Sequence, residues 1–357
     1  VVARDLAGRE LDHEAIVVGG GQSGLATAFY LLRAGVDVLV LDDQRGPGGA
    51  WRHAWPSLTL FSTAGFSNLP GTPMPAHDGF PPAAHVVDYL EMYERRHRIP
   101  VERPVHVERV EREGTPAGTG FRVRAAAAAG REGREWRCAH VIAATGTWSA
   151  PFVPAYPGRF TGRQWHSANY PGPDPFAGRT VAVVGAANSA AQIAAELIED
   201  PDVGEVTWYA RHAPRWMPDD VDGRVLFRRN RERFRSIAAG RPDPGADSQL
   251  GDIVVLPQVR RMRDAGRLSA TPMFNSLSEV DAEHLIWCTG FRPALGPFRG
   301  LLAGAAADAG ADEPVAGLHL VGYGDRTGPG SATILGVGPY AKAVAREVAA
   351  AVGKTGR

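Results

Sequence analysis

Ala15-Ile16-Val17-Val18-Gly19-Gly20-Gly21-Gln22-Ser23-Gly24-Leu25-Ala26-Thr27-Ala28-Phe29-Tyr30-Leu31-Leu32 is the stretch from which the rest of the chain can be read. Its first four residues are apolar and mostly β-branched, as in a buried strand. Apolar positions at helical spacing run from Leu25 to Leu32, and Gly35 stops them. Val36 to Leu41 then predicts a second buried strand, which ends at Asp42. Strand, Gly19-x-Gly21-x-x-Gly24, helix, strand and acid follow in the order that a dinucleotide site requires. Gly19 permits the tight turn, Gly21 lets the backbone approach a pyrophosphate, and Gly24 allows close helix–strand packing. Gln22 and Ser23 lie at the start of the helix, whose N-terminus favours negative charge. Asp42 stands about 20 residues on, where a carboxylate accepts from ribose hydroxyls.

An altered copy follows. Thr180 to Val184 repeats the strand, and Gly185-Ala186-Ala187-Asn188-Ser189-Ala190 repeats the turn. Ile193, Ala194, Leu197 and Ile198 mark the next helix, and Val206 to Tyr209 the next strand. Ala187 and Ala190 replace the second and third glycines, so Ala187 is expected to hold a pyrophosphate slightly further off. Arg211, His212 and Arg215 stand where the acid would be. A guanidinium there suits a ribose 2′-phosphate, hence NADP over NAD.

Between the copies, an amphipathic helix is expected over Val86–Arg98. Short strands are expected over Val105–Val110, Phe121–Ala125, Glu135–Cys138 and Val141–Ala144, with a hairpin loop over Ala126–Gly130. The small-residue turn Thr145-Gly146 has a counterpart at Thr289-Gly290, and the two bracket the second unit. The expected architecture is α/β, with two Rossmann-type domains. Residues 1–150 and 285–357 form the first, and residues 151–284 form a second one inserted into it. The arginines between Arg224 and Arg241 have acids nearby and read as a solvated helix face. Residues 241–247 read as a loop able to cover a site.

Composition narrows the function classes. The 357 residues carry 39 basic and 39 acidic side chains, which removes the electrostatic case for a nucleic-acid partner. Apart from Lys342 and Lys354 the basic residues are all arginine, a bias consistent with a GC-rich genome. No run approaches the ~20 apolar residues of a membrane span. The N-terminus has neither a secretory pattern nor a starting Met, and a cytoplasmic location is expected. Two cysteines, Cys138 and Cys288, supply neither a disulfide framework nor a C-x-x-C dithiol, which argues against a disulfide reductase. There is no metal-ligand cluster, Ser-His-Asp set or HExxH motif.

In motif order the chain resembles the class B flavin-dependent monooxygenases, the group of animal flavin monooxygenases, plant YUCCA enzymes and Baeyer–Villiger monooxygenases. The resemblance spans residues 14–350. It is carried by Phe160-Thr161-Gly162-Arg163-Gln164-Trp165-His166-Ser167, by Gly48-Gly49-Ala50-Trp51, by the two Thr-Gly turns, and by Asn188-Ser189 with Gln192.

The resemblance implies FAD on Gly19, Gly21, Gln22, Ser23, Gly24 and Asp42. Trp51, Thr145, Gly146 and Asp325 would lie near the flavin and Val105 near the adenine. NADPH would lie on Gly185, Asn188, Ser189, Gln192 and Arg211. His166 is the candidate for coupling the domains or orienting NADP. The implied reaction passes hydride from NADPH to FAD and delivers one atom of O2 to a small-molecule substrate through a C4a-(hydro)peroxyflavin.

Tyr170 stands where Baeyer–Villiger enzymes generally carry Trp, which favours a nucleophilic N, S or arsenic atom over a ketone. The segments 49–58 and 322–338 are similar to flavoprotein monooxygenases of arsenic-resistance operons, yet soft arsenic prefers clustered thiolates, and Cys138 and Cys288 lie on separate predicted strands. Baeyer–Villiger oxygenation and a non-catalytic FAD/NADP-binding sensor are the alternatives. A monomer or homodimer is expected, without nucleic-acid or membrane partners. His53, His77 and His85 are expected at the surface, while Trp165, Trp216 and Met217 are read as core residues ahead of a substrate channel.

Overall fold

The computed structural model describes residues 10–113, 120–127, 133–308 and 315–354. In chain order the first unit contributes β1 (His13–Val18), α1 (Gln22–Arg33), β2 (Val38–Leu41), α2 (Ala83–His97), β3 (Val101–Glu102), β4 (Val107–Glu113), β5 (Gly120–Ala125) and β6 (Arg134–Ala143). The second contributes β7 (Arg163–His166), β8 (Val181–Val184), α3 (Asn188–Glu199), β9 (Val206–Ala210), α4 (Gly223–Ala238), α5 (Pro257–Asp264), β10 (Ala270–Pro272) and β11 (His284–Trp287). The chain then returns to the first unit with α6 (Arg299–Asp308), β12 (Leu318–Leu320) and α7 (Val337–Ala351).

The first sheet runs β3-β2-β1-β6-β5-β4, with β12 also paired to β6. Its β1–β3 half is parallel, and β4, β5 and the start of β6 form an antiparallel meander. Strand β6 joins the halves: Cys138 lies beside Phe121 of β5, whereas Val141 lies beside Leu318 of β12. The two short strands expected at Glu135–Cys138 and Val141–Ala144 are therefore one. Period-two burial explains the layering. Ala15 and Val17 pack with Leu25, Phe29 and Tyr89 under the helices, while Ile16 and Val18 pack with Val110, Phe121 and Trp136 on the opposite face. The hairpin loop expected at Ala126–Gly130 lies from Ala128 on outside the described residues.

The second sheet is wholly parallel, in the order β10-β9-β8-β11-β7. Strand β11 corrects the expected boundary. Leu285 pairs with both Ala182 and Gln164, so this strand completes the second sheet, and the first unit does not resume at residue 285. The chain crosses back only beyond Gly290. Strand β7, within the Phe160–Ser167 motif, lacked a sequence signal because two of its four residues, Arg163 and Gln164, are exposed at the sheet edge.

Trp165 and Met217 are buried core residues, and Trp216 packs on the same core as Trp165. His53 and His77 are exposed, while His85 is half-buried, with Nε2 3.0 Å from the Pro75 carbonyl. On α4, Arg224, Arg228, Arg231 and Arg235 face solvent as expected, but Arg233 is buried and paired with Asp243. That pair and the hydrogen bond from Asn230 to Asp247 fasten the 241–247 loop back onto its own helix.

Candidate active site: two dinucleotide cavities and the wall between them

The first glycine turn opens into a cavity of about 490 Å³. Gly19 sits at φ +111°, a conformation that only glycine adopts readily, beneath the Ala144 carbonyl. At Gly24 a Cβ would run directly into the Gly19 carbonyl oxygen, so glycine here lets α1 lie against β1. Gly21 differs from both. A Cβ there would meet nothing nearer than Gly49 Cα at 3.9 Å, and it would project into the cavity that Gly21 borders. It is also the N-cap of α1 and supplies no side-chain cap, leaving the helix's first N–H groups to an outside acceptor. These features fit a dinucleotide pyrophosphate.

Asp42 is buried at the end of β2, and its Oδ2 accepts from Arg103 Nε at 2.6 Å. Arg103 donates its remaining nitrogens to both oxygens of Glu94 on α2, each at 2.8 Å. Burial disfavours the Arg103 charge, but the two carboxylates outweigh it and raise its pKa. Sequence reasoning missed Arg103, because an arginine after a two-residue strand carries no pattern of its own.

Ser23, Trp51, Val105, Thr145 and Gly146 also border this cavity. Gln22 links two of its walls, accepting from Trp51 Nε1 at 2.9 Å and donating to the Ala332 carbonyl at 2.6 Å. The Thr145 hydroxyl is bonded to Ala294 O and Tyr323 OH, which holds the first Thr-Gly turn against the returning chain. Asp325 stands apart from the expectation. Gly322, Tyr323 and Gly324 border the cavity, but the short helix Gly324–Arg326 leaves Asp325 exposed and outside it.

The second turn opens into a cavity of about 750 Å³ bordered by Gly185, Asn188, Ser189, Arg211 and His212. Ala187 caps α3 without a side-chain bond, so this helix N-terminus is also available. Arg211 is exposed and has no ion pair among the described residues, whereas Arg215 is paired with Asp252. The Asn188 side chain is occupied: Oδ1 accepts from Val254 N–H at 2.8 Å and draws the 251–255 segment to the cavity rim. Gln192 does not border the cavity, and its Nε2 is buried without a hydrogen-bond partner among the described residues.

Two linkers run side by side between the cavities. Phe152 N–H donates to Gly290 O at 2.9 Å, Arg292 N–H to Ala150 O at 2.8 Å, and Ala294 N–H to Gly146 O at 2.9 Å. Residues 145–149 border the first cavity, while Phe152, Thr289 and Gly290 border the second.

His166 fastens this wall. Its Nδ1 accepts from Ala168 N–H at 3.0 Å, so the proton sits on Nε2, 3.1 Å from Gly290 O. Burial lowers its pKa, partly offset by the Gly290 and Phe152 carbonyls. Both nitrogens are engaged, which suits a coupling role.

A second tie is the loop after Trp51, which contributes Trp55 to the second domain's core, the one that holds Trp165 and Tyr170. Tyr170 OH donates to Glu196 at 3.0 Å, and burial raises the pKa of that carboxylate. Cys138 and Cys288 are both buried free thiols whose pKa burial pushes up.

A model of the pyridine nucleotide-disulphide oxidoreductase family matches residues 16–309. The solved structure of a flavin-containing monooxygenase from Stenotrophomonas maltophilia is 41% identical, covers 95% of this chain and 98% of that one, and superposes with a TM-score of 0.78. An uncharacterized CzcO-like oxidoreductase of Geobacillus kaustophilus is 26% identical over 298 residues, 78% of this chain and 80% of the relative. Indole-3-pyruvate monooxygenase YUCCA1 of Oryza sativa subsp. japonica is 33% identical over 189 residues, 51% of this chain and 44% of that one.

Proposed function

Because the chain belongs to the pyridine nucleotide-disulphide oxidoreductase family, as one of its class B flavin-dependent monooxygenases, we propose that it transfers one atom of O2 to a nucleophilic heteroatom of a small molecule. The enzyme uses FAD and NADPH. FAD belongs in the first cavity, on Gly19, Gly21, Gln22, Ser23 and Asp42, with Gly24 letting α1 pack against β1 behind the turn and Trp51 and Thr145-Gly146 also bordering the cavity. NADPH belongs in the second, on Gly185, Ser189 and Arg211.

The observation that carries this reading is the shared wall. The paired linkers 145–152 and 289–294 separate two dinucleotide cavities by a few residues. Oxidoreduction between two dinucleotides needs that proximity. Disulfide chemistry would need a dithiol, and the two cysteines are buried in separate cores.

NADPH supplies a hydride, and FAD supplies the means of activating O2. The protein positions and shields. The α1 N-terminus and Gly21 hold the first pyrophosphate, and Gln22 keeps Trp51 over the cavity. His166 keeps the wall closed through its hydrogen bond to the Gly290 carbonyl. The heteroatom target is favoured over a ketone by Tyr170 standing where the resemblance gives Baeyer–Villiger enzymes a Trp.

The test is NADPH oxidation under 18O2 with amines, sulfides, arsenicals and ketones. One labelled oxygen per NADPH in an amine, sulfide or arsenical product is expected. Hydrogen peroxide alone with every substrate would refute oxygen transfer, and labelled ester from ketones alone would refute the heteroatom target.

A further inference from the structure

Asp42 meets the first cavity with one oxygen committed. Its Oδ2 is held by Arg103, while Oδ1 takes no hydrogen bond among the described residues. The parallel pairing of Leu41 with Glu102 sets Asp42 and Arg103 side by side, and Glu94 on α2 grips the far edge of the guanidinium through two bonds. The three side chains are 4%, 10% and 16% exposed respectively, so water screens them little. A buried, forked arginine has few alternative geometries, and it fixes the plane of the carboxylate it binds.

We propose that Arg103 is a positioning residue for the flavin dinucleotide: gripped by Glu94, it aims the free oxygen of Asp42 at the adenosine ribose hydroxyls. The inference rests on the reading of the first cavity as the FAD site. The glycine turn is itself shaped around the ion pair. A Cβ on Gly20 would lie 2.7 Å from Asp42 Oδ2 and 2.8 Å from Arg103 Nη2. Gly20 fills a variable position of the dinucleotide pattern, and this pair is the local reason for a glycine there.

The charge count adds a consequence. One guanidinium between two carboxylates leaves a net negative charge beside the ribose. A ribose carrying a 2′-phosphate is repelled, whereas Arg211 stands at the equivalent strand end in the second cavity. The two cofactors are sorted by opposite charges at matching positions.

The experiment titrates apoprotein with FAD and with an FAD analogue built on 2′,3′-dideoxyadenosine, reading flavin fluorescence. Wild type should prefer FAD by about tenfold or more, the usual value of a hydrogen bond to a charged group. Arg103→Gln should reduce the preference to within about twofold, Arg103→Lys should lie between, and Arg103→Gln should add nothing in an Asp42→Asn background. Unchanged NADPH binding at the second cavity confirms that the variants are folded; if Arg103→Gln does not fold, Arg103→Lys carries the test. A variant that loses affinity equally for both ligands while keeping the full preference overturns the positioning role. A wild-type chain without affinity for FAD overturns the site assignment, and the positioning role falls with it.

Discussion

Replacing Gly21 by alanine separates binding from folding. The backbone there has φ −80° and ψ −172°, ordinary values for any residue. The nearest protein atom to the new methyl is Gly49 Cα at 3.9 Å, so neither strain nor overlap arises. Alanine is a poorer N-cap than glycine by up to about 1 kcal/mol, while the lost freedom of the unfolded chain returns ~0.4–1 kcal/mol. Stability should stay within about 1 kcal/mol of wild type.

Binding is another matter, because the methyl fills the space in which a pyrophosphate oxygen approaches the helix N–H groups. Losing a hydrogen bond to a charged group costs about 1.5–3 kcal/mol, or roughly ten- to a hundredfold in FAD affinity. Gly24→Ala is the counterpart: its methyl collides with the Gly19 carbonyl, and overpacking of that kind costs ~1–3 kcal/mol of fold stability. FAD titration and thermal melting of the apoprotein read the two effects independently. If Gly21→Ala bound FAD like wild type, or lost stability as Gly24→Ala does, the account of this turn would be wrong.

Arg211→Ala should raise the KM for NADPH about tenfold and leave that for NADH nearly unchanged, since one guanidinium–phosphate contact is lost; equal effects on both would refute the 2′-phosphate role. His140 and His319 face each other at 3.2 Å between β6 and β12, and burial lowers both to about 4. The folded chain then binds fewer protons than the unfolded one below the ordinary value of 6.5, so stability is level above that pH and falls between it and about 4. At ~1.4 kcal/mol per unit, the pair should cost about 4 kcal/mol at pH 5. Urea unfolding at pH 7 and pH 5 measures this loss, and His319→Gln should recover about half; a parallel decline in the variant would count against it.

The central strands and helices were legible because β1, α1, β8 and α3 carry strong periodic burial and distinctive turns. Gly19, Gly21, Asp42 and Gly185 border the cavities where the pattern put them, and Gly24 lies at the α1–β1 contact behind the first one. What escaped depended on long-range pairing. Strand β11 reads as a generic apolar strand, and only its partners Ala182 and Gln164 assign it to the second sheet. Arg103 gains meaning only once β2 and β3 are adjacent. Asp325 and Gln192 were placed by resemblance, and neither borders the cavities. His166, by contrast, could be singled out in the motif although its partner Gly290 is distant in sequence.

Trp55 bears on how this enzyme can be taken apart. A segment of the first domain fills part of the second domain's interior, so excising residues 151–290 as a module would remove Trp55 from the core that it shares with Trp165, Tyr170 and Phe176. Recombination between relatives faces the same constraint. A transplanted second domain stays whole only if the Trp55 loop travels with it from the same parent, which makes the two domains heritable as a pair.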